Sequence, residues 1–333
     1  MTEKHKADER GLLQDDVSTY QITNEDRNSY ATAEQSLHSL QVPKIFNSKD
    51  ENSHAFIANF DGTGNDVSVN PSHATNVGIF SNQLEKQSIS SSLASSYVPG
   101  PATQAGAINR ILDGALGYTY DQKLEKMYEA LCDRAKIWKE ENPNAEIAVV
   151  TTGFSRGAEE AAGFARLVHE RGIQNSSGRH IEHHVIGPDT ISYTKPALVE
   201  PGNVIQSVAL FDPVGTGHPH SHDRTLPPSV VSGFQITARD ERRNAFPSSQ
   251  IIPPGLSADG RFLNVTVPGS HSDIGGSYHV DGLAILNGNL MTDFINAHSD
   301  VPLLERRPEP EDPSRYVIHR SEEHLVIFRT STF

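Results

Sequence analysis

Ala145-Glu146-Ile147-Ala148-Val149-Val150-Thr151-Thr152-Gly153-Phe154-Ser155-Arg156-Gly157-Ala158 decides how this chain is read. Ala145 to Val150 is a short, near-continuous apolar run, the signature of a strand buried on both faces. Gly157 to Arg171 has helical spacing and ends at Gly172, where a left-handed residue closes a helix. Between them lies G-x-S-x-G, Gly153 to Gly157. Alone, the pattern is also that of a glycine-bracketed serine capping a helix. Set between strand and helix it predicts a tight turn that lifts the Ser155 hydroxyl above the sheet, at the positive end of the helix dipole. Large side chains at 153 and 157 would collide in such a turn, and Ala158, Ala161, Ala162 and Ala165 let the helix lie close to the sheet.

Outward from this unit, apolar runs recur at 55–60, 204–210, 230–238 and 262–267, and helical patterns at 120–140 and 283–297. Residues 317–319 and 324–329 are expected to form a last strand or hairpin. Alternating strands and helices predict an α/β fold with a mainly parallel central sheet and helices on both faces. In such sheets the chemistry gathers at the carboxyl ends of the strands. Residues 1–52, rich in polar and charged side chains, are read as a disordered or loosely attached arm, and 53–333 as one domain. A polar, Ser-rich region follows the first strand, and 78–120, with Ile79, Phe80, Tyr97, Ile108 and Leu112, is a candidate lid.

A serine nucleophile needs a base and an orienting carboxylate, in chain order Ser, Asp or Glu, His. His271 follows the 262–267 strand in a glycine-flanked loop and is the candidate base. Three acids compete: Asp212 at the end of the 204–210 strand, Asp240 in Arg239-Asp240-Glu241-Arg242-Arg243, and Asp273, two residues from His271. Asp212 is favoured by its strand-end position. For the oxyanion, the N–H of Arg156 is one candidate donor and Gly62 or Thr63, in Asp61-Gly62-Thr63-Gly64, the other. This chemistry needs no cofactor and no metal. His218-Pro219-His220-Ser221-His222-Asp223 is read as a polar loop rather than a metal site.

The chain carries 28 Lys and Arg against 42 Asp and Glu, a net charge of −14. That balance argues against nucleic acid as a partner and against attachment to anionic lipid by net attraction. The lone cysteine, Cys132, lies on an apolar helix face and is expected to be a buried, inert thiol. The charged N-terminus has no apolar core, so no signal peptide is expected and the protein is made in the cytoplasm.

Phe60-Asp61-Gly62-Thr63-Gly64-Asn65, Gly153-Phe154-Ser155-Arg156-Gly157-Ala158, Phe211-Asp212-Pro213-Val214-Gly215, Asp240-Glu241-Arg242-Arg243 and His271-Ser272-Asp273-Ile274-Gly275-Gly276 together resemble the successive motifs of the DUF2235 α/β-hydrolase family, which includes the Tle1-type lipase effectors of the type VI secretion system. The resemblance spans about residues 55–297. It implies an α/β-hydrolase fold and a Ser-His-Asp lipase or phospholipase that cleaves acyl esters of membrane phospholipids as a secreted antibacterial toxin. It further implies a secretion-machine component, of a type VI or type IV system, and a cognate immunity protein as partners. Pro213 stands where the family usually has Thr, and Ser277 where it has a third glycine. A soluble carboxylesterase or other serine hydrolase, and a non-catalytic hydrolase-like binding protein, are the alternative readings.

Overall fold

A computed structural model describes residues 15–62, 65–68, 71–86, 92–100, 117–184, 189–215, 223–243 and 246–323. Its centre is a seven-stranded sheet formed by β2 (Ser53–Phe60), β3 (Leu93–Val98), β4 (Glu146–Phe154), β7 (Ile205–Phe211), β8 (Val230–Ala238), β9 (Gly255–Leu256) and β10 (Phe262–Val267). The spatial order is β3-β2-β4-β7-β8-β10-β9. All neighbours are parallel except the short edge strand β9. Two small antiparallel ribbons lie outside it: β1 (Thr19–Gln21) with β11 (Val317–His319), and β5 (Arg179–Glu182) with β6 (Thr190–Tyr193).

Successive side chains of a strand point to opposite faces, and here both faces are apolar. Phe56, Ala58, Phe60, Val149, Val208 and Leu210 pack on one side under helices α3 (Gly117–Glu141) and α4 (Arg156–Arg171). Ala55, Ile57, Val150, Phe154, Ala209 and Phe211 pack on the other, under α1 (Asn24–Ser39), α2 (Asn76–Lys86) and α6 (Gly282–Ala297). This is the α/β-hydrolase architecture read from the sequence. Val230–Ala238 and Phe262–Val267 form with the boundaries expected of them. Cys132 is buried on α3, as its apolar neighbours imply.

Two expectations are corrected. Residues 15–52 are not a loose arm. Thr23 caps α1 through a reciprocal box with Asp26, and Tyr30, Ala33 and Leu37, one narrow stripe of a mainly polar helix, bury into the core. Nor are 78–86 and 92–100 a lid. Val77, Phe80 and Leu84 of α2 are core residues, and β3 pairs with β2 along six residues of the central sheet. The remainder of the candidate lid up to residue 116, and the expected strand at 324–329, lie outside the described residues. No described helix is long and apolar enough to cross a membrane.

Candidate active site

The strand β4 runs directly into α4, and Ser155 sits at the junction with φ 59 and ψ −122. Among the described residues only three non-glycine positions have positive φ, and two of them are Ser155 and Asp212. Such backbone costs of order 1–3 kcal/mol and persists only when the surroundings impose it. The imposing contacts are visible. The Ser155 N–H donates to the carbonyl of Phe211 at 3.0 Å, and the Val214 N–H donates to the carbonyl of Ser155 at 3.2 Å. A Cβ on Gly153 would stand 2.2 Å from the carbonyl oxygen of Gly157, and one on Gly157 would stand 2.2 Å from that of Phe60. The two glycines of the motif are therefore needed because backbone packs on backbone.

Phe154 lies opposite Phe211 in the β4–β7 register, so the residues that follow, Ser155 and Asp212, emerge side by side at the sheet's carboxyl edge. Asp212 is fully buried. Its Oδ1 accepts the N–H of Ala238 at 3.0 Å, and its Oδ2 accepts His271 Nδ1–H at 2.6 Å. With Nδ1 so engaged, Nε2 is the nitrogen left to face other chemistry. His271 opens the short helix α5 (His271–Gly275), whose N-cap box is made by Ser270 and Asp273.

The other two acids are committed elsewhere. Asp240 accepts the Gly269 N–H at 2.9 Å and pairs with Arg239. Asp273 accepts Ser270 N–H and Oγ–H, and bonds His319 Nδ1 at 2.6 Å. Arg156 begins α4, at the positive end of its dipole. The N–H of Gly62 donates to Oδ1 of Asp61 at 2.7 Å, while Tyr97 and Thr75 donate to the same buried carboxylate, which burial pushes above the ordinary range. Thr63 and the 218–222 histidine loop lie outside the described residues.

Sequence reasoning missed Phe154, Phe246 and Glu241. The Phe154 ring packs 4.6 Å from the His271 ring and fills the space a Cβ would take at Gly62 or Gly275. An aromatic residue before the serine, with glycines at 62 and 275, was the available signal. Phe246 meets His271 edge-on at 5.3 Å, and Glu241 accepts the backbone N–H of His271. Behind Ser155, α4 buries Glu160 beside Lys123. Burial lifts the Glu160 carboxyl to about 7 and drops the Arg156 guanidinium to about 10.

The sheet order, the strand–turn–helix at Ser155 and the strand-end acid define an α/β-hydrolase fold. Residues 54–186 match the model of the type VI secretion system (T6SS) family of Tle1-like phospholipase effectors, in its catalytic domain. The resemblance seen in the motifs therefore holds over that segment, which includes Ser155 and precedes Asp212 and His271. No curated protein sequence matches the chain. Among solved structures, it is similar to an uncharacterized protein from Pseudomonas aeruginosa, with 18% identity over 92% of this chain and 52% of that one and a TM-score of 0.46. It is also similar to the Tle1 effector bound to the VgrG spike of the type 6 secretion system, with 20% identity over 72% of this chain and 52% of that one and a TM-score of 0.41. A truncated carbohydrate esterase from gut microbiota shows 16% identity over 86% of this chain and 99% of that one, with a TM-score of 0.34. The chain spans about half the length of the first two.

Proposed function

We propose that this chain is a serine ester hydrolase of the Tle1-like phospholipase effector type, acting on acyl esters of membrane phospholipids. One observation carries the reading: a buried Asp212–His271 pair at 2.6 Å stands beside a serine held at positive φ on a strand-to-helix turn. His271 Nε2 takes the proton of the Ser155 hydroxyl as its oxygen attacks the acyl carbonyl. Asp212 holds the ring in the needed tautomer and favours the imidazolium that forms. The oxyanion is assigned to the Arg156 N–H and to a donor from the 61–64 loop. The Gly62 N–H serves Asp61 in this structure, and Thr63, the other candidate, lies outside the described residues. The imidazolium then protonates the departing alcohol. Water, deprotonated by the same histidine, cleaves the acyl-enzyme and restores Ser155.

The phospholipid as substrate and delivery by a type VI machine rest on the family match over 54–186, and a cognate immunity protein on the motif resemblance. Incubating wild type and Ser155→Ala with phosphatidylethanolamine–phosphatidylglycerol vesicles, followed by mass spectrometry, tests the reading. Wild type should release fatty acid and lysophospholipid and be labelled by a fluorophosphonate; the variant should do neither. A wild type that is neither labelled nor active on any acyl ester removes the serine-hydrolase assignment. Labelling with cleavage only of short soluble esters removes the phospholipase half of it.

A further inference from the structure

Asp212 is not the only carboxylate that grips the base. The backbone N–H of His271 donates to Oε2 of Glu241 at 3.1 Å, across thirty residues of chain. Arg243 holds this carboxylate from one side: its backbone N–H and Nε donate to Oε1 at 2.7 and 2.9 Å, and its Nη2 to Oε2 at 2.9 Å. Ser321 Oγ donates to Oε2 at 3.0 Å from the segment after β11. The guanidinium of Arg243 lies 3.6 Å over the ring of Phe246, and Phe246 meets the imidazole of His271. Glu241, Arg243 and Phe246 thus close a loop that begins at the backbone of His271 and returns to its ring. The neighbouring Asp240 offers a contrast, since its partners are Gly269 N–H and the more exposed Arg239, neither of which touches the imidazole.

We propose that Glu241 is a positioning residue for the base: it fixes the His271 backbone so that the ring stays seated on Asp212, and its charge, moderated by Arg243, favours the imidazolium formed when Ser155 gives up its proton. This rests on the serine-hydrolase reading above. Among the described residues, the charged groups facing His271 are few. Asp212 comes from the end of β7, Glu241 and Arg243 from the loop after β8, and Asp273 from α5 itself, where it is committed to Ser270 and to His319, which Asp15 holds from the far side. β4 contributes the uncharged ring of Phe154. Glu241 is an anion in this setting. Burial alone would raise its carboxyl, but the bonds and charge of Arg243, and the charge of His271, outweigh burial and hold it below the usual range.

The two charged partners should act with opposite sign, which a purely architectural ion pair would not do. The test is the pH dependence of kcat/KM on p-nitrophenyl butyrate, with the rate of fluorophosphonate labelling measured on the same samples of the full chain. In Glu241→Gln the acceptor oxygen remains but the anion is gone. The imidazolium loses support, so the acidic limb moves to lower pH by about half a unit or more, and kcat falls about fivefold to fiftyfold. In Arg243→Gln the Glu241 charge is uncompensated, so the acidic limb moves to higher pH. Glu241→Asp, which keeps the charge, should hold the limb near its wild-type position while lowering kcat. Limbs that stay in place in both charge variants, or that move in the same direction, overturn the proposal. If Glu241→Gln does not fold, the upward movement in Arg243→Gln decides alone. Absence of Ser155-dependent labelling in wild type overturns this inference together with the hydrolase reading. Labelled wild type with immobile limbs overturns the role of Glu241 only.

Discussion

His319 is a buried charge held between two carboxylates, and its loss should be read in stability at mildly acidic pH, fading towards alkaline pH. The ring is 1% exposed and lies between two carboxylates, Asp273 at 2.6 Å from Nδ1 and Asp15 at 3.0 Å from Nε2. Tyr278 stacks on it at 3.8 Å. Two carboxylate acceptors, one at each nitrogen, require a proton on both, so the folded protein holds an imidazolium. Burial alone would lower its value, but the bonds to Asp15 and Asp273 outweigh burial and raise it from 6.5 to about 9. The folded value lies above the unfolded one. The contribution to stability is therefore full below 6.5, declines between 6.5 and about 9, and is gone above that range. The difference corresponds to about 3 kcal/mol. The perturbation is Asp15→Asn with His319→Gln, which removes the cation without leaving Asp15 as a lone buried anion. Asp273 keeps its bonds to Ser270. Urea unfolding of both proteins at about pH 6 and about pH 10 isolates the term, because Lys123 and the buried tyrosines titrate in both. The stability difference should shrink by about 3 kcal/mol between the two conditions, near 1 M in midpoint at a slope of about 3 kcal/mol per M. A difference that does not change with pH would refute the assignment of a buried imidazolium.

Asp212→Asn should lower kcat about 10³- to 10⁴-fold with little loss of folding, since the base would lose its tautomer-setting acceptor. Asp240→Asn should cost less than about tenfold, and Asp273→Asn should lower thermal stability more than turnover, because it strips the α5 cap and His319; steady-state rates alongside melting curves check the ranking. Burial pushes the Cys132 thiol up to about 12, so Ellman's reagent should react slowly with native protein at about pH 8 and promptly after urea unfolding; prompt reaction of the native chain would contradict the burial.

The strands that carry Ser155, Asp212 and His271 were legible because their buried stretches read as short apolar runs, even though Gln206 and Ser207 interrupt β7 and Asn264 and the exposed Thr266 interrupt β10. The glycines at 153 and 157 were legible because only they permit the backbone contacts at the turn. β3 was missed because Leu-Ala-Ser-Ser-Tyr-Val is an edge strand whose first five residues are only half-buried, which leaves room for serines. The helix α1 was missed because three buried apolar side chains suffice to dock it, too few to stand out from a polar background. Glu241 looked like one more charge in an arginine-rich loop. Its significance lies in a bond to a backbone N–H thirty residues away, and a backbone donor leaves no mark on residue type.

His271 is consequently tied to segments far from it in sequence. Asp212 holds the ring, Glu241 holds the backbone N–H, and the hydroxyl of Tyr30 on α1 donates to the carbonyl of Pro268 just before the loop. Behind the loop, Asp273 reaches His319 on β11, His319 reaches Asp15, and β11 pairs with β1. The stretch that composition marks as a disordered or loosely attached arm thus supplies Asp15, β1 and Tyr30 to the support of His271. Each of these contacts is a buried or half-buried polar one that fails at full desolvation cost if its partner is removed. Deleting residues up to 40 would leave His319 with one carboxylate, Pro268 without its donor and the outer face of β10 uncovered. The loop that carries His271 should therefore loosen before the central sheet does, because α1 lies chiefly on β10, while the face of β2, β4 and β7 under α3 and α4 keeps its cover.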